Sequence, residues 1–160
     1  MTAIAEYHHD TIDDPLDRLS QYYHGTFDWP TSIDSSTGEV HLRLGTVVDA
    51  LIMRAGFAAE VNNFLVRHMF RVPIMVVPSK PADWVFLTGP RTTMRLTTWE
   101  DLVHIQVGWK RRSESLALPA PDGATEGLRW LQRPEPGMGL PPWTAVVGAA
   151  RASSSLCGTW

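Results

Sequence analysis

The sequence predicts an α+β domain, an open mixed or antiparallel sheet with helices packed mainly on one face. Three observations carry that reading. Short β-patterned runs come in pairs around turns rich in Pro and Gly. Residues 56–69 place apolar side chains at helical spacing. The order of elements reads β-β-α-β-β-(α)-β-β-α, with no internal repeat. At 160 residues, 44% of them hydrophobic, the chain is the size of one domain with one substantial core, so a single domain over 1–160 is expected.

Asp13-Asp14-Pro15 reads as a helix cap with Pro at the first helical position, predicting a short helix from Pro15 to about Tyr23 with Leu16, Leu19 and Tyr23 on one face. Residues 1–14 before it are expected as an acidic, flexible arm. Thr26 to Pro30 is a loop or edge strand, and Asp34-Ser-Ser-Thr-Gly38 is a turn cluster at the tip of a hairpin. Val40, Leu42 and Leu44 alternate with His41 and Arg43, as in a half-buried strand. Val47 to Met53 is apolar nearly throughout and is assigned to the centre of the sheet. The helix over 56–69 presents Phe57, Val61, Phe64, Leu65 and Met69 on its apolar face, with Glu60, Arg67 and His68 elsewhere.

Ile74–Val77 and Trp84–Thr88 read as strands joined by the Pro78 to Asp83 turn, whose prolines stop any helix. Thr98 is the expected N-cap of a short helix with Glu100 and Asp101 in its first turn, where carboxylates suit the dipole. His104–Trp109 and Ser115–Leu118 form a further predicted pair around the basic turn Lys110-Arg111-Arg112. Residues 119–142 are dense in Pro and Gly, with Leu128–Leu131 as their one strand. A last helix is expected from Trp143 to about Ala152, and the tail 153–160 is expected to fray.

Charge is unevenly distributed. Residues 1–40 hold eight acids against Arg18, a net of −7, while residues 41–160 come to +4. Blocks of opposite sign can fold on one another or meet different partners. A single cysteine, Cys157, excludes an intrachain disulfide and a cysteine-rich zinc site. No apolar run approaches the ~20 residues of a membrane span. A cytoplasmic protein without membrane association or a cofactor is the expectation.

Segments 40–143 resemble the small primase–polymerase-like proteins of actinobacteria, the bifunctional DNA primase/polymerase N-terminal type. Three stretches carry the likeness: "VVDALIMRAGFAAEVNNFL", "PIMVVPSKPADWVFLTGP" and "SLALPAPDGATEGLRWLQRPEPG". The resemblance implies a primase–polymerase-like (RRM-like) core and a sheet surface able to hold a nucleotide or nucleic-acid strand. It also implies an acidic pair on the first of these strands and a histidine ahead of the aromatic strand. Both are missing. Two-metal nucleotidyl transfer needs carboxylates around ions about 3.5–4 Å apart, two of them at i and i+2 on one face of a strand. Here Asp49 is followed at i+2 by Leu51, Asp83 stands where the histidine is wanted, and no acid lies between Asp101 and Glu114. The site is degenerate, and the expected protein is a non-catalytic binding or regulatory module for a protein partner or nucleic acid. Alternatives are an enzyme with residual metal-dependent nucleotide chemistry on Asp49 and Asp83, and a self-associating structural domain.

Candidate binding residues follow from composition. Lys110, Arg111 and Arg112 beside Trp109, with Arg91 and Arg95 and, on neighbouring turns, Lys80, Arg129 and Arg133, are a candidate nucleic-acid patch of cations and aromatic surface. Among seven tryptophans, Trp84 and Trp130 sit in strand patterns and are assigned to the core. Trp29, Trp109 and Trp143 lie beside prolines or turns and are the candidates for a partner surface. His8-His9-Asp10 are adjacent metal-type ligands with no second cluster to complete a site. His41, His68 and His104 read as surface or strand residues, and Cys157 has no base beside it. Neither a Gly-x-Ser-x-Gly elbow nor a phosphate-cradling glycine loop is present.

Overall fold

A computed structural model describes residues 14–120 and 127–156. The arm before Asp14, with His8, His9 and Asp10, and the C-terminal Cys157 lie outside the described residues.

Helix α1, Pro15–Phe27, starts as its sequence demands: the Asp14 carboxylate accepts from the Leu16 N–H at 3.0 Å, with Pro15 at the first position. It runs a turn beyond Tyr23 and ends on Asp28, a left-handed residue (φ 56°) whose N–H closes on the His24 carbonyl. Strands β1, Thr31–Asp34, and β2, Glu39–Arg43, form the hairpin expected from the 34–38 turn. Asp34 Oδ1 accepts from both the Ser36 hydroxyl and N–H, which holds its carboxyl below the usual aspartate range, and Gly38 takes φ 69°. Strand β3, Asp49–Arg54, leads into helix α2, Ala55–Arg67; β4, Ile74–Val77, and β5, Asp83–Thr88, follow. Then come α3, Leu96–His104, β6, Gly108–Trp109, β7, Ser115–Ala117, β8, Arg129–Gln132, and α4, Trp143–Leu156.

The α+β class holds, but the strands divide into two antiparallel sheets of order β1-β2-β7 and β6-β3-β5-β4-β8. Strand β5 is the central one, and β3 lies one place nearer the edge. The expected pairing of 104–109 with 115–118 is not made: α3 takes the chain to His104, β6 joins β3, and β7 crosses to β2. The Lys110–Arg112 turn therefore bridges the sheets. Helix α3 also begins before Thr98, at Leu96, with Arg95 as its N-cap.

Alternation along the five-stranded sheet explains the layers. Leu51, Met53, Ile74 and Phe86 face one way and pack against α2, α3 and α4 through Val61, Leu65, Leu102, Val146 and Ala150. Ala50, Met75, Val85 and Leu87 face the other way, onto Val40 and Leu42 of β2 and Tyr23 of α1. Each side chain of this kind contributes roughly 1.5–3 kcal/mol on burial. The sheet is thus covered on both faces. None of the described helices is long and apolar enough to cross a membrane.

Tyr23 ties the second layer together. Its ring stacks on Trp29 (5.8 Å, 6° between planes), and its hydroxyl donates to the Pro119 carbonyl and accepts from Trp130 Nε1, both at 2.9 Å. Burial pushes the phenol up to about 12, against a smaller lowering from the Trp130 hydrogen bond. The shift has a defined sign. A folded-state value above the ordinary 10 means that the contribution is fully present below pH 10 and is lost as pH rises toward 12. That amounts to roughly 2–3 kcal/mol. Tyr23→Phe strands a buried carbonyl and an indole N–H, so we expect a loss of about 1–3 kcal/mol at neutral pH. Urea titrations from pH 8 to 12 check both effects: the variant is expected to lose part of the alkaline slope, and an unchanged slope would remove the phenol as its cause.

Candidate functional site

The feature of greatest chemical consequence is at the start of β3. Asp49 pairs in register with Thr88, the last residue of β5, and the chain then turns through Gly89 and Pro90 to bring Arg91 back over it. The Arg91 N–H donates to Asp49 Oδ2 at 2.8 Å and its Nη2 to Oδ1 at 2.9 Å. The carboxylate side chain is 0% exposed and the guanidinium 12%. Nη2 also donates to the Lys110 carbonyl, which fastens the loop to the turn after β6. The guanidinium lies over the Trp143 ring, 5.4 Å from its centroid, a geometry favoured by the ring quadrupole. Trp143 in turn packs near Trp99, which contacts Trp109 at 4.7 Å, and its Nε1 donates to Met94 Sδ at 3.3 Å.

This arrangement is a buried, hydrogen-bonded ion pair with the Trp143 ring against its guanidinium. Both Asp49 oxygens face Arg91, so a cation would have to displace the arginine to reach them. Asp83 is no help: it pairs with Arg54 at the opposite end of the β3–β5 ladder, where Arg54 Nη1 contacts its carboxylate at 3.1 Å. Five residues of strand separate the two acids, on the order of 16 Å, so the side-by-side arrangement that a residual metal pair requires is not formed. Among the described residues, no group of three His, Cys, Asp or Glu side chains converges as metal ligands.

The candidate nucleic-acid residues are only partly brought together. Trp109, Lys110 and Arg111 line an open groove of about 530 Å³ with Arg54, Asp83 and Glu114. Glu114 accepts from the Arg111 N–H at 2.5 Å. Arg112 packs on the other side, against Gly45 (φ 107°), where an added Cβ would stand 3.0 Å from the Arg112 Cβ. Arg91 is corrected from surface cation to buried ion-pair partner, and Arg95 sits exposed at the start of α3, away from the groove lining. Arg129 and Arg133 are at β8, the opposite edge of the sheet from β6. Lys80 is exposed on the β4–β5 turn. The cations therefore do not form one stripe.

The tryptophans sort differently from their sequence context. Trp29 and Trp143, read as partner-surface residues, are core at 3% and 1% exposure. Both stand next to prolines, Trp29 before Pro30 and Trp143 after Pro141 and Pro142, but the latter pair leads into α4, which Trp143 opens. Trp109 is partly buried. Trp84 and Trp130, assigned to the core, are partly buried against its two clusters, as Trp109 is. His41 contacts Ser115 Oγ on β7 and Glu39 on its own strand, His68 lies on Phe64 with 4.1 Å between ring centroids, and His104 is exposed.

Sequence reasoning missed a second concavity. Val66, Met69, Phe70 and Met138 line an open groove of about 580 Å³ with Arg71, Gln132, Arg133 and Glu135. Met69, assigned to the apolar face of α2, is outside that helix and 90% exposed. The signal was present: an apolar pair, Met69-Phe70, follows the last turn of the helix, where a polar stop is the usual pattern.

Compared with family models, with curated proteins and with solved structures, the chain has no significant match.

Proposed function

We propose that this chain is a non-catalytic binding module on a primase–polymerase-like plan, with a protein as its partner. The observation that supports the first part is the Asp49–Arg91 pair: the one acid on the strand where the resemblance wants a metal-binding pair is committed to a guanidinium. Two further features favour a protein over a nucleic-acid strand. Both faces of the larger sheet are packed, so its strands offer no open face for bases among the described residues, and the arginines are divided between its edges.

Primer synthesis and extension on single-stranded templates, with Mg²⁺ or Mn²⁺ and all nucleoside triphosphates, test the proposal. We expect no incorporation, and binding to single-stranded DNA no tighter than the roughly 10⁻⁴–10⁻⁶ M of non-specific contact. Metal-dependent incorporation by the purified chain overturns the non-catalytic reading. Tight DNA binding that falls steeply between low and high salt overturns the protein partner.

A further inference from the structure

We propose that the groove between the end of α2 and the segment after β8 docks an acidic amphipathic helix of a protein partner. This rests on the binding-module reading and adds the surface and the chemistry of the occupant.

Three observations carry it. First, nine large hydrophobic side chains are exposed among the described residues, and Val66, Met69, Phe70 and Met138 from that set line this single groove. Scattered exposed apolar residues are ordinary, but a cluster on one concave surface marks an interaction site. Methionine and phenylalanine are also types enriched where partners dock, because a flexible thioether and a flat ring fill irregular apolar pockets.

Second, the charge around the groove is net positive. Its lining holds Arg71 and Arg133 against one carboxylate, Glu135, which pairs with Arg71 at 2.6 Å, and the two segments that build it, 66–73 and 129–139, add Arg67 and Arg129 outside the lining. Arginine around an apolar centre complements a helix with apolar residues at i, i+3, i+4 and i+7 and Glu or Asp on its flanks.

Third, Met69 occupies a position its backbone disfavours. Helix α2 ends in a Schellman motif: the Phe70 N–H reaches the Leu65 carbonyl at 2.9 Å and the Met69 N–H the Val66 carbonyl at 3.0 Å. Met69 is the left-handed residue of that motif, φ 63°, where glycine is the usual choice. A side chain that is 90% exposed gives the fold little in return for that strain. A partner that buries it accounts for a methionine there.

The test uses the full chain and three helix-forming peptides of equal length labelled for anisotropy: Leu at i, i+3, i+4 and i+7 among Glu; the same Leu among Lys; and the Glu peptide with Leu replaced by Ser. The Glu/Leu peptide is expected to bind at least about tenfold tighter than either control. Met69→Gly is expected to weaken that binding roughly five- to tenfold, while its melting temperature stays equal or rises, a combination that a purely structural methionine does not give. Met138→Glu is expected to weaken it as well, and Lys110→Glu at the opposite sheet edge to leave it unchanged. Equal binding of the Glu/Leu and Glu/Ser peptides, or binding indifferent to Met69→Gly and Met138→Glu, overturns the groove. So does a dimer by light scattering that Met138→Glu dissociates, because the occupant is then a second copy. Nucleotide incorporation alongside intact peptide binding overturns the non-catalytic reading and spares the groove; absence of both spares the reading and overturns the groove.

Discussion

Asp49→Ala is expected to destabilise the fold by about 3–5 kcal/mol, the range for removing one partner of a buried pair. The cost comes from what remains. The Arg91 guanidinium is 12% exposed and already has an unpartnered Nε among the described residues; without the carboxylate it keeps only the Lys110 carbonyl and the Trp143 face. Arg91→Ala leaves a fully buried carboxylate and is expected to cost as much. Replacing both with apolar residues of similar volume, Asp49→Leu with Arg91→Met, is expected to recover most of the loss, since a well-packed apolar pair often matches a buried ionic one. Urea denaturation of the four proteins compares these losses directly. Single variants that fall by less than about 1 kcal/mol would show a pair exposed to water, as surface pairs are worth that little.

Trp143→Ala carries the second large effect, an expected loss of about 3–5 kcal/mol for deleting a buried indole. At 1% exposure it contacts Trp99, sits under Arg91 and hydrogen-bonds Met94, so its removal opens a void where α4 meets the loop that holds the ion pair. For a chain of this size the melting temperature is expected to drop by roughly 6–20 °C, at 2–4 °C per kcal/mol. Trp109→Ala, at a partly buried position, is expected to cost clearly less. Thermal unfolding followed by circular dichroism separates the two. An unperturbed melting curve for Trp143→Ala would return that residue to the surface role its neighbouring prolines suggest.

The elements legible in the sequence were those with a local cause. Val40, Leu42 and Leu44 announce β2 by period, Asp14-Pro15 announces α1 by capping chemistry, and Val61 and Leu65 announce the buried face of α2. The division into two sheets was not legible. It turns on β6 being two residues long, so that the chain leaves the larger sheet at Trp109 and joins β2 at Ser115, a choice made by distant partners rather than by local period. The candidate site failed for the same reason. Asp49 and Arg91 are 42 residues apart, and nothing in the neighbourhood of either predicts that the β3–β5 register and the Gly89-Pro90 turn will join them. The absence of an acidic i, i+2 pair on β3, in contrast, is a local fact, and it supports the non-catalytic proposal as directly from the sequence as from the coordinates.

The Tyr23 hydroxyl reaches across 96 residues to Pro119 and 107 to Trp130. Those spans give the first helix a late seat. On a ribosome α1 is made well before the segments that carry Pro119 and Trp130, so it waits, unanchored at that phenol, while the β3–α2 and β4–β5 units can already pair among themselves.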